Sequence, residues 1–138
     1  MNIIIPSETG TEFVSFINSS IYQYLQDNLD KDRLQNAQTF VDTVNMYRSI
    51  YVPKIDVYSV CLYPVLKIDT YSSYTQVSLD TNALVYGTLI KSIDIINLVN
   101  FGNIGVQPYP IFTNMFSYFN SNLLNIYDQF TFDIGGLN

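Results

Sequence analysis

Side chains able to do chemistry are scarce in this sequence, and the few suggestive arrangements fail on spacing. Asp27-Asn28-Leu29-Asp30-Lys31-Asp32 has the alternating oxygen ligands of a calcium loop. Placing Asn28, Asp30 and Asp32 at loop positions one, three and five demands Gly at six and Glu at twelve. The chain has Arg33 and Thr39 there, so the stretch reads as a solvated helix junction. Gly102-Asn103-Ile104-Gly105 invites comparison with a phosphate-cradling loop. A P-loop continues as Gly-Lys-Ser/Thr, and a dinucleotide site needs a third Gly opening a helix. Neither follows, and no base lies nearby to neutralise phosphate, so a flexible or interface loop is expected.

Acid pairs and nucleophiles fare no better. Asp56, Asp69, Asp80, Asp94, Asp128 and Asp133 could supply the two carboxylates of a glycosidase only by a coincidence of fold. Both glutamates, Glu8 and Glu12, lie at the N-terminus, one of them in a helix cap. There is no histidine among the 138 residues. That removes the common His-based triads, His-ligated zinc or haem, and a histidine pH switch. Cys61 is the one cysteine, which excludes an internal disulfide framework and any CxxC site. It sits in a strand-like run and reads as a small buried hydrophobe. The expectation is a protein that is not an enzyme and carries no metal or cofactor.

Charge narrows the partners. Charged residues make up 13% of the chain and apolar residues 48%, the reverse of a disordered composition. The formal net charge is −6, and the bases Lys31, Arg33, Arg48, Lys54, Lys67 and Lys91 are scattered. Nucleic-acid affinity comes largely from clustered Lys and Arg displacing counterions, so direct nucleic-acid binding is not expected. No stretch approaches the ~18 apolar residues of a membrane span. The start, Met1-Asn2-Ile3-Ile4-Ile5-Pro6, lacks the basic region of a signal peptide. Synthesis in a reducing cytoplasm is therefore expected.

The periodicities place these residues on elements of one domain, 1–138. Thr9-Gly10-Thr11-Glu12 has the capping-box form, and Phe13, Phe16, Ile17, Ile21, Tyr24 and Leu25 follow at helical steps. Asp32 offers a second cap before Leu34, Ala37, Val41 and Val44, with Pro53 closing that region. From Ile55 the period switches to two, and Tyr58, Val60, Leu62, Leu66 and Ile68 share one strand face. Pro64 interrupts that strand and marks it as an edge or a bulge. A shorter strand covers Tyr74 to Leu79, with a turn at Asp80-Thr81-Asn82. Ala83 to Val99 reads as one bent strand or two, with Gly87 at the bend. A helix over Leu89–Val99 is the alternative, since Leu89, Ile90, Ile93 and Asn97 also fit a helical stripe. After a long loop over 100–110, Pro110 starts a helix bearing Phe112, Met115, Phe116, Phe119, Leu123 and Ile126. Phe130 to Ile134 alternates as a last short strand. The fold class is α+β, with N-terminal helices and a later helix packed on an antiparallel sheet.

The positive feature is aromatic surplus. The chain holds 12 Tyr and 9 Phe, and Tyr suits interfaces because it pairs apolar area with a polar tip. Base composition of the coding sequence could equally enrich Tyr, Asn and Ile. Even so, those residues must pack somewhere, and some apolar surface should be covered only in an assembly. Candidate contact residues are Ile3, Ile4 and Ile5 on an N-terminal arm over 1–8, then Tyr51, Tyr63, Tyr71, Tyr74, Phe101, Ile104 and Tyr109.

With its Thr9–Leu29 helix, its strands from Ile55 to Val99, its Ile111–Tyr127 helix and its Phe130–Ile134 strand, the chain resembles the small α+β subunits of bacteriophage necks and tails, particularly the tail-terminator and head-completion group. The resemblance lies in the order of elements over most of the chain. It implies a structural subunit of a virion that forms a homo-oligomeric ring, typically a hexamer, and joins the tail to other virion proteins. It also implies manufacture in the host cytoplasm; if DNA passes through the ring, acidic residues in the lumen would repel its phosphates and leave the passage non-adhesive. The competing reading is an adaptor or inhibitor module that binds a single protein partner.

Overall fold

In the computed structural model, which describes residues 1–46 and 53–135, the core forms around four large apolar side chains at strict i, i+4 spacing. They are Phe13, Ile17, Ile21 and Leu25 of helix α1 (Thr11–Asn28), and all four are fully buried. Each buried side chain of this size contributes about 1.5–3 kcal/mol of transfer free energy. The rest of the chain supplies partners for that stripe. Strand β1 is Asn2–Pro6, helix α2 Gln35–Met46 and helix α3 Val57–Leu62. Strands β2 (Leu66–Thr70) and β3 (Tyr74–Leu79) follow, then helices α4 (Ser92–Phe101) and α5 (Ile111–Gly135). The α+β class expected from periodicity holds.

The sheet has three antiparallel strands in the order β1-β3-β2. Register follows the side-chain alternation: Ile3 lies opposite Val77, and Val77 opposite Ile68. One face therefore presents Ile3, Ile5, Val77 and Leu79 to the core, as an antiparallel sheet with one covered face requires. The segment Met1–Pro6, expected as an arm, is an edge strand of this sheet. Ile3 and Ile5 are completely buried in the chain's own core and do not form a free arm.

α5 is the longest element and runs antiparallel to α1. Phe13 meets Tyr127 and Phe130 at ring-centroid distances of 5.0 and 5.4 Å, while Tyr24 meets Tyr118 and Phe119 at 5.5 and 6.0 Å. The start of α5 is anchored by Asn100, which is 1% exposed. Its Oδ1 accepts from the N–H groups of Phe112 and Thr113, both at 3.1 Å, and its Nδ2 donates to Thr113 Oγ1 at 2.8 Å. Ile111 N–H donates to the Tyr109 carbonyl at 2.7 Å. The donors that a helix start leaves unpaired are thus met from α4 and the preceding turn.

Several elements differ from the sequence reading, each for a local reason. Tyr58, Val60 and Leu62 belong to helix α3, not to a strand; its buried residues are Val57, Cys61 and Leu62, the first two one helical turn apart. Gln38 fixes the start of α3, accepting from Val57 N–H at 2.9 Å and donating to the Ile55 carbonyl at 2.8 Å. The strand after Pro64 survives only as β2. The capping box does not form, because Thr9 Oγ1 donates to the Pro6 carbonyl at 2.8 Å and Gly10 occupies the N-cap position. The second junction is capped by Asp30, whose Oδ1 accepts from Asp32 N–H at 3.0 Å, rather than by Asp32.

Residues 83–99 split into a tight turn through Gly87 (φ +76), joined by a Leu84–Lys91 bridge, and helix α4. The helical alternative for Leu89–Val99 is therefore the one that forms, from Ser92 onward. The short strand expected at Phe130–Ile134 is instead the last part of α5, where Phe130 stacks on Phe16 at 4.9 Å. Replacing Asn100 with Ala should lower stability by about 1–3 kcal/mol, since it removes a cap and strands buried donors. Urea denaturation with an unchanged m-value checks this; a loss below about 0.5 kcal/mol would remove Asn100 as the anchor of α5.

Candidate interaction surface

The chemistry-bearing stretches become structural once folded. Asp30 and Asp32 close a turn, and among the described residues no group of three or more His, Cys, Asp or Glu side chains could hold a metal ion. Gly102 terminates α4 at φ +76, where a Cβ would lie 2.6 Å from the Val106 carbonyl oxygen and 2.9 Å from Pro108 N. Only glycine fits that turn. The Asn103, Ile104 and Val106 N–H groups all donate within it, to Val106 O, Asn103 Oδ1 and Asn103 O. Those donors are therefore not held open for an anion. Cys61 is buried, and burial followed by the nearby Asp56 carboxylate pushes its thiol up to about 12. It holds its proton far above neutral pH and is not a nucleophile.

The candidate contact residues divide sharply. Ile3, Ile5 and Tyr109 are core residues. Tyr109 links two elements: its hydroxyl donates to the Asn28 carbonyl at 3.1 Å and accepts from Asp30 N–H at 3.0 Å. The Arg33 guanidinium lies 3.8 Å from its ring centroid, a cation–π contact. Tyr74 is half-buried and packs on Tyr71 at 4.9 Å across the β2–β3 turn. Ile4, Tyr63, Tyr71, Phe101 and Ile104 are exposed. Tyr51 lies outside the described residues.

Sequence reading missed the largest exposed side chains. Tyr86 is 99% and Leu89 92% exposed in the turn before α4, neither of them among the expected contact residues, whereas the expected Ile104 is 91% exposed in the turn after it. Leu124 and Phe132 stand out from the C-terminal half of α5. Between α2 and α4 runs a groove of about 420 Å³, lined by apolar side chains such as Phe40, Ile90 and Leu98, with Asn45, Asp94, Asn97 and Asn103 at its polar positions. The one available signal was the break in helical stripe at Leu124 and Phe132, which follow no buried partner three or four residues away.

The two edges of the sheet are treated differently. On β1 the outward-facing Ile4 N–H donates to Asn120 Oδ1 at 3.3 Å, and Asn120 Nδ2 donates to the Asn2 carbonyl at 2.7 Å. One side-chain amide thus stands where the next strand would, and Pro6 has no N–H to offer. Just outside the two ends of β2, Val65 C=O accepts from Asp80 N–H and Tyr71 N–H donates to the Tyr74 carbonyl, both at 2.8 Å on the β3 side. The alternation of an antiparallel ladder then turns the N–H and C=O groups of Leu66, Ile68 and Thr70 outward. Among the described residues no strand lies on that side.

Two measurements follow from these environments. Cys61 should not react with a disulfide reagent at pH 8 in the folded chain and should react fully in denaturant; reaction within minutes under native conditions would contradict its burial. Because the folded thiol stays protonated while the unfolded one ionises near the ordinary thiol value of 9.0, its contribution is intact below pH 9 and is lost as pH rises from there toward about 12. Stability in urea should therefore begin to fall above pH 9, and the fall should be smaller in a Cys61→Ala chain. No known protein family matches this chain, and neither a curated protein nor a solved structure does, so its function is argued from its own surface.

Proposed function

We propose that this protein is a non-enzymatic assembly subunit that works by contact with further copies of itself and with other proteins. The observation that carries the reading is large apolar side chains standing free on separate elements: Tyr86 and Leu89 before α4, Ile104 after it, Leu124 and Phe132 on α5. Monomeric proteins seldom leave such area in water, because covering it is favourable by about 25 cal/mol per Å². Distinct patches on opposite ends of an element suit a subunit that touches more than one neighbour. Following the resemblance in element order, the specific proposal is a ring-forming phage neck or tail-terminator subunit that joins the tail to other virion proteins.

A second reading has its own support. The groove between α2 and α4 has the apolar lining and few polar groups of a site for one partner segment, as an adaptor or inhibitor would use. Sedimentation equilibrium separates the two. The assembly reading expects species heavier than the 15.8 kDa chain, growing with concentration to a closed size. A single 15.8 kDa species up to about 0.5 mM would overturn it and leave the one-partner reading.

A further inference from the structure

We infer that the open edge of β2 pairs with β2 of a second copy, antiparallel, across a two-fold axis at Ile68. The inference deepens the assembly reading and rests on it, by naming the surface through which two copies meet. The two would form one continuous sheet in the strand order β1-β3-β2-β2-β3-β1.

The register is dictated by what β2 presents. Its outward backbone groups belong to Leu66, Ile68 and Thr70. With the axis at Ile68, Ile68 faces its own copy and Leu66 faces Thr70, which makes about six backbone hydrogen bonds. The side chains agree. Lys67 and Asp69 lie on the sheet face turned away from the core, their charged atoms 3.8 Å apart and the Lys67 side chain 58% exposed. In this register Lys67 stands opposite Asp69 of the second copy, twice by symmetry, at the closely spaced non-hydrogen-bonded positions. Moving the axis one residue either way sets Lys67 against Lys67 or Asp69 against Asp69, which repels.

The flanks fit as well. Val65 meets Tyr71 of the second copy, and both are exposed in the isolated chain, as is Ile68 at 47%. Lysine on an edge strand ordinarily guards against unwanted pairing. Here the guard is self-complementary, so it rejects other strands and other registers while accepting the same sequence reversed. The contrast with β1 points the same way: that edge is closed from within by Asn120, and among the described residues no strand covers the β2 edge. A contact of this kind is isologous and ends at two copies, so any larger ring requires the α4 or α5 surfaces in addition.

The test uses charge and backbone separately on the full chain. K67E makes β2 wholly acidic and D69K makes it wholly basic; each should weaken self-association about tenfold or more. Mixed one to one, the K67E and D69K chains should form a heterodimer, since every facing pair is then opposite in charge. I68P deletes an N–H that points away from β3 and replaces a half-exposed side chain, so circular dichroism should show the fold kept while association is lost. Failure of the K67E and D69K chains to recombine would overturn the β2 contact. So would association of all three variants as strong as the natural chain's, which leaves assembly itself standing. A natural chain that stays monomeric at about 0.5 mM overturns both readings together.

Discussion

An edge strand leaves half of its backbone donors and acceptors without partners, and the way this chain disposes of its two edges organises much of the rest. At β1 the Asn120 carboxamide takes both a donor and an acceptor, from Ile4 and Asn2. That pair of bonds sets the height of α5 against the sheet. Once α5 is placed, its aromatic side chains meet Phe13, Phe16 and Tyr24 of α1, whose buried stripe shares one core cluster with Ile3, Ile5 and Val77. Asn100 holds the other end of α5 to α4, so the longest helix is fixed at its start by one asparagine and near its middle by another. Net hydrogen-bond contributions are about 0.5–1.5 kcal/mol each, but a buried donor left unmet costs more than that.

The same constraint explains why the molecule's surface looks unfinished. Few charges are available to coat it, and apolar side chains remain outside at the turns flanking α4 and along the far half of α5. The stretches that looked chemical are used structurally: the thiol is buried, Asp30 closes a turn, and the glycine loop folds onto its own backbone. What remains on offer is area and strand edge, which are the means by which proteins bind proteins.

Much of the fold was legible in the sequence where one signal dominated. The α1 stripe, the β3 strand, the Asp80 turn and the start of α5 at Pro110 all follow from periodicity or a turn residue. The failures occurred where two signals competed over too few residues. Val57–Leu62 alternates like a strand, yet six residues cannot separate period two from an i, i+4 pair, and Gln38 from another helix decides it. Phe130–Ile134 has strand-forming residues, but Leu123, Ile126, Tyr127 and Phe130 already continue a helical stripe onto the core. Tyr109 looked like a contact residue because its partners, Asn28 and Asp30, are 81 and 79 positions away. Asn120 gave no sign at all, since nothing in its neighbourhood announces a strand 116 residues upstream.

Amide hydrogen exchange, followed residue by residue at two protein concentrations, interrogates both edges at once. Ile4, held by Asn120 within the subunit, should exchange slowly and at a rate independent of concentration. Ile68, whose N–H points out from the open edge, should exchange rapidly when the chain is dilute and become protected as it is concentrated. Equal exchange of the Ile68 amide at both concentrations, in a chain that otherwise remains folded, would contradict the account.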